Sequence, residues 1–72
     1  MPGFEAAVAR HQRRVFSFAH YYLGNPSEAE DVVQEVLLRL WQNWQKLDAE
    51  RLEPWLLRVT RNACYDLCLL YT

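Results

Sequence analysis

The stretch from Asn25 to Trp44, NPSEAEDVVQEVLLRLWQNW, decides the fold. Its apolar residues stand at Ala29, Val32, Val33, Val36, Leu37, Leu40, Trp41 and Trp44. Those steps of three and four put them on one face of an amphipathic helix whose apolar side faces a core. Two helix starts satisfy capping-box spacing. Either Asn25 caps, with Pro26 at the first helical position and Glu28 reaching back, or Ser27 caps with Glu30 in that role. The opposite face opens with Glu28, Glu30, Asp31 and Glu35 and meets no basic residue until Arg39. Carboxylates there suit the positive end of the helix dipole and leave an acidic surface.

On the N-terminal side, Phe4, Ala7, Val8, Val15, Phe18, Ala19, Tyr22 and Leu23 keep helical spacing, with His11 at a place in the stripe where an apolar residue is missing. Gly24, followed by Asn25 and Pro26, reads as a left-handed terminator. The outer face of this helix carries Arg10, Arg13 and Arg14. On the C-terminal side the pattern breaks over QKLDAERLE, Gln45 to Glu53, which reads as an ordered loop with a loose turn around Asp48 to Glu50. Pro54 then opens a third helix, with Trp55, Leu56, Val59, Ala63, Leu67 and Leu70 as its apolar stripe. The expectation is an all-α three-helix bundle forming a single domain over 1–72, with helices at about 3–23, 26–44 and 54–70. Neither an internal repeat nor an alternating strand pattern is visible.

A chain of 72 residues is near the lower size limit for a core that is stable without disulfides, metal or a partner. With 51% of its residues hydrophobic and only 2 Gly, it is expected to be ordered rather than disordered. The net charge of −1 lacks the basic footprint of a protein that grips duplex DNA unaided, so any nucleic-acid role must be local or assisted. Cys64 and Cys68 lie four apart on one helix, poor geometry for a bridge between them, which fits a reducing cytoplasm. No apolar run approaches the length of a membrane span.

The residue types for catalysis are missing. There is no glycine-rich phosphate loop and no serine in a nucleophile turn, and Glu30 and Asp31 point in different directions on their helix. His11, His20, Cys64 and Cys68 would need distant helices to bring them together as ligands. They read instead as a partly buried histidine, a surface histidine and two small packing residues. No enzyme activity, metal or cofactor is expected.

Three segments, FEAAVARHQRRVFSFAHYYLGN, SEAEDVVQEVLLRLW and PWLLRVTRNACYDL, together resemble region two of bacterial extracytoplasmic-function (ECF) sigma factors, initiation factors of RNA polymerase. The combination that carries the resemblance is Ala29-Glu30-Asp31 with Gln34-Glu35 and Trp41, joined to Trp55-Leu56, Arg61-Asn62 and Asp66. It implies two binding surfaces. The segment matching Asp31, Gln34 and Glu35 docks on the clamp helices of the largest polymerase subunit. Residues at i, i+3 and i+4 do form one ridge able to accept bonds from basic side chains. A solvated helix start that merely suits the dipole explains Glu28 and Glu30 well, but explains Gln34 less well.

The second implied surface, the loop and third helix, opens the promoter −10 element and holds a flipped base of the non-template strand. Lys46, Arg51, Arg58 and Arg61, with the aromatic Trp44, Trp55 and Tyr65, are the types that single-strand capture needs, and Asn62 is suited to read a base edge. Trp55, on the apolar stripe, reads more as core than as a stacking platform.

The chain departs from the family where a run of arginines usually follows the aspartate of the third helix. Here it reads Leu67-Cys68-Leu69-Leu70-Tyr71-Thr72. Consecutive apolar residues cover all sides of a helix, so Leu67 to Tyr71 is expected to pack on a partner or to self-associate. The family's C-terminal domain, which reads the −35 element, is absent, so the chain is expected to be an excised domain or a truncated product. Its expected partners are core polymerase, the −10 non-template strand and an anti-sigma factor. The alternative is a protein-interaction module, such as a decoy for the clamp or an anti-sigma factor, without promoter recognition.

Overall fold

The computed structural model describes residues 3–70, excluding the side chain of Leu70. Three α-helices follow one another: α1 (Phe4–Leu23), α2 (Pro26–Asn43) and α3 (Ala49–Leu70), with a single 3₁₀ turn, Trp44–Lys46, between α2 and α3. Each boundary has a local cause. Gly24 sits at φ 71, the left-handed conformation that suits glycine, and its N–H donates to His20 O. Of the two candidate caps for α2, Asn25 is the one used. Its Oδ1 accepts from the N–H of Ser27 at 2.8 Å and of Glu28 at 3.2 Å, with Pro26 at the first helical position.

The third helix begins earlier than the sequence reading placed it. It starts at Ala49 rather than Pro54, and Pro54 lies inside it. The N–H of Arg51 is held by Asp48, both by its carbonyl at 3.1 Å and by its Oδ1 at 3.0 Å, so Asp48 works as an N-terminal cap. Pro54 has no N–H to give to the carbonyl of Glu50, one turn back. Glu50 is exposed, so water can take that place. Burial of Leu52, four residues before buried Leu56, favours the extra turn.

The core is one cluster to which every helix contributes: Val15 and Ala19 from α1; Ala29, Val32, Val33, Val36 and Leu40 from α2; Leu52, Leu56, Val59, Ala63 and Cys64 from α3. Ala19 and Ala29, both fully buried, let α1 and α2 approach closely beside their joint. Thr60 is buried too, its hydroxyl donating to Leu56 O at 2.6 Å, so no polar atom is left unsatisfied there. At the far end, Phe4 meets Trp41 and Trp44 edge-on, with centroids at 5.1 and 5.3 Å, pinning the start of α1 to the end of α2.

Two residues read as part of the apolar stripes lie at the surface. Trp41 is 64% exposed and Tyr22 is exposed as well. Each lies at the edge of its helix's apolar arc, where a neighbouring ring touches one side and water the other. His11 is half-buried, His20 exposed and Cys64 buried, as their positions predicted. Burial, and then the neighbouring Cys68, pushes the Cys64 thiol up from its ordinary range, which keeps it protonated and unreactive. Of the expected packing tail, Tyr71 lies outside the described residues; Leu67 and Cys68 are half-buried and Leu69 is exposed. Among the described residues no helix is long and apolar enough to cross a membrane, and no group of three or more His, Cys, Asp or Glu could hold a metal.

Candidate functional site

The first candidate surface is the outward side of α2. Asp31, Gln34 and Glu35 are all exposed on it, opposite the buried Val32, Val33 and Val36. The ridge they form divides two grooves. Gln34 and Glu30 line a groove of about 570 Å³ against α1, whose walls include Arg13 and Phe16. Asp31 and Glu35 line another of about 260 Å³ against α3, together with Arg39, Asp66 and Leu67. The three residues therefore share a ridge but serve different flanks.

Glu35 is not an unengaged carboxylate. Its Oε1 accepts from Arg39 Nε at 2.9 Å, one helical turn away, and the Arg39 carbonyl accepts from Asn43 Nδ2 at 2.8 Å. A partner's cation must compete with Arg39 for Glu35, whereas Asp31 makes no ion pair among the described residues. The sequence reading missed that the ridge continues in apolar residues: Leu38 and Trp41 are 52% and 64% exposed. Leu38 stands one turn beyond Gln34, so helical spacing alone placed it on this side.

The second candidate surface lies at the start of α3. Lys46 from the 3₁₀ turn and Arg51 and Arg58 from α3 converge on a groove of about 410 Å³, with Pro54 and Trp55 in its wall. Trp55 is half-buried, with part of its ring packed against the core and part turned to this groove. It is both core and wall. Glu50 also lines the groove and opposes phosphate there, and Arg51 approaches Asp48 Oδ2 only loosely, at 3.8 Å. Arg61 and Asn62 are exposed but lie outside the groove, one turn further along α3. Asn62 follows Arg58 at i+4 and continues the groove's side of the helix toward exposed Tyr65. Trp44 is directed elsewhere, against Phe4 and a separate cleft beside α1.

Beyond Tyr65, the Tyr22 ring lies 6.1 Å away. Partial burial raises the Tyr22 phenol from its ordinary value, and Tyr65 and the cysteines add to the rise. The Tyr22 phenol stays neutral at physiological pH, so its ring adds no negative charge to this corner of the molecule.

The sigma-70 region 2 family matches residues 7–69. The chain is 34% identical to the ECF RNA polymerase sigma factor SigE of Mycolicibacterium smegmatis, over 93% of this chain and 26% of that protein. It is 38% identical to SigL of Mycobacterium tuberculosis, covering 86% of this chain and 39% of the relative. SigW of Bacillus subtilis shares 31% identity over 88% of this chain and 34% of its own length. The chain thus spans well under half of each of these relatives. No solved structure matches it significantly. Three helices, with a capped acidic second helix and a basic groove at the start of the third, accord with these matches: the chain belongs to the sigma-70 region 2 family and is a region 2 domain of the ECF sigma factor type.

Proposed function

We propose that the domain binds core RNA polymerase through the α2 ridge and captures the −10 element of the promoter through the groove and outer side of α3. It works by binding, in the cytoplasm, and catalyses no step. The observation that carries this reading is the spatial division of charge. Asp31 and Glu35 line a groove between α2 and the later part of α3, while Lys46, Arg51 and Arg58 converge on a separate groove at the start of α3.

The ridge suits a basic partner helix, because its acceptors stand at helical spacing and are flanked by exposed Leu38 and Trp41 as apolar anchors. The clamp helices of the largest polymerase subunit are that partner. An anti-sigma factor that covers the same ridge would block assembly. The groove suits a single strand, since guanidinium groups hold phosphates while the Trp55 edge offers a stacking surface. Arg58 and Arg61 hold the backbone, and Asn62 reads a base edge. A net charge of −1 keeps this grip weak until polymerase supplies further cations.

The test is a titration of the chain against the isolated clamp-helix fragment, together with anisotropy of labelled single-stranded −10 oligonucleotides with and without core polymerase. Binding to the fragment, and tighter strand capture once polymerase is present, are expected. Tight binding to duplex DNA by the chain alone would contradict the reading.

A further inference from the structure

The first turn of α3, Ala49 to Glu53, is built unlike the rest of the bundle. Pro54 removes the amide that would have bonded this turn's Glu50 carbonyl, so the turn is less firmly joined to the helix it begins. Open space lies on both sides of it. The basic groove flanks it outwardly, and a cleft of about 280 Å³ lined by Ala6, His11, Trp44 and Leu52 separates it from α1. Leu52 is its one buried side chain. A segment with so few buried contacts and clefts on two sides opens at low local free energy.

What ties the turn across to α1 is a bond from Arg14 Nη1 to Glu53 Oε1. The ion pairs of Glu35 and Asp48 are local in sequence, at i,i+4 and i,i+3, whereas Arg14–Glu53 joins two helices. Glu53 is the last residue before Pro54. The tie therefore acts on the N-terminal side of the interruption.

We infer that Arg14 and Glu53 are positioning residues for the nucleic-acid groove: their ion pair holds the Pro54-interrupted first turn of α3 against α1, and so fixes Arg51 relative to Arg58. This rests on the groove being the strand-binding surface proposed above. Neither residue lines that groove. They act through the placement of the turn.

Charge alone and positioning predict opposite signs for one substitution, Glu53→Gln. Removing a carboxylate near a cationic groove should tighten binding of a polyanion by general electrostatics. Loss of the tie should instead weaken it, by about three-fold, the size an exposed ion pair allows. Arg14→Gln should weaken binding similarly. The double exchange, Arg14→Glu with Glu53→Arg, keeps net charge and should restore affinity.

The experiment measures anisotropy of a short labelled single-stranded oligodeoxynucleotide with the full chain and these variants. Hydrogen exchange at the Arg51 to Glu53 amides is followed in parallel. Faster exchange with weaker binding in both single variants, each reversed in the double exchange, is expected. Unchanged or tighter binding by Glu53→Gln overturns the positioning role, even while Arg58→Ala still weakens binding and the strand-binding reading stands. Failure of the unsubstituted chain to bind any single strand, alone or with polymerase, overturns that reading and this role together.

Discussion

The α2 ridge and the α3 groove differ in more than the sign of their charge. The ridge stands on an uninterrupted helix whose opposite side is fully buried, with Val36 and Leu40 at 0% and 1% exposure, and whose start is fixed by two bonds to Asn25. The groove is assembled from a 3₁₀ turn and the proline-interrupted opening of α3, with clefts on both sides of that opening. A surface for a folded protein partner gains from rigidity, because preorganisation lowers the entropy lost on docking. A surface for a single strand must adapt to a flexible polymer, and a looser wall suits it. The difference assigns rigidity and adaptability to separate regions of one small domain.

The largest expected effect breaks the foundation of the ridge. Leu40→Asp puts an unpaired charge at a fully buried site and should cost several kcal/mol, comparable with the whole stability of a domain this size. No cooperative melt should remain by circular dichroism, and an unchanged melt would show that the site is not buried in solution. On the outer side of α3, Asn62→Ala should cost about 1 to 3 kcal/mol for the preferred base alone. Arg58→Ala should weaken all sequences alike and lower the salt slope by about 0.7. Equal losses for every base with Asn62→Ala would remove the base-reading role from this helix.

A smaller effect sharpens the picture of the ridge's start. Asn25→Ala should destabilise by about 1 kcal/mol, and Ser27→Ala by much less, because only Asn25 accepts the end amides. Urea titrations giving the reverse order would move the cap to Ser27. The smallest effect is a pH response at Cys64. Its folded thiol value is raised, so the unfolded chain releases that proton first, and the stabilisation is whole below the ordinary thiol range of about 8.5. It is lost as pH climbs through the folded value. Melting temperatures above about pH 9 should fall more steeply for the unsubstituted chain than for Cys64→Ala. Parallel slopes would contradict this.

Most of the fold was legible in the residues because α1 and α2 obey simple periodicity and are separated by chemically distinctive residues, Gly24 closing α1 and Asn25 opening α2. The start of α3 was not. Pro54 is a strong first-position signal, and it masked the weaker pair that prevailed, an Asp48 cap and a Leu52 that extends the stripe of Leu56, Val59 and Ala63 one turn back. For the sites, residue types and spacing placed Asp31, Gln34 and Glu35 on one ridge and made the Arg39 partner of Glu35 foreseeable at i,i+4. They did not disclose that Gln34 faces a different groove from Asp31, that Trp41 is exposed, or that Arg14 reaches Glu53 from 39 residues away. Those relations depend on how helices pack, which local periodicity does not contain.

The central claim is that two independent surfaces share this domain, and crossed titrations test it directly. The ridge variant Asp31→Ala/Gln34→Ala/Glu35→Ala and the groove variant Arg58→Ala/Asn62→Ala would each be titrated with the clamp-helix fragment and with a single-stranded −10 oligonucleotide. The ridge variant is predicted to lose a few kcal/mol of clamp-helix affinity and to keep its own oligonucleotide affinity, while the groove variant does the opposite. If both affinities fell together in either folded variant, or if the ridge variant bound the clamp helices undiminished, the division into two surfaces would be wrong.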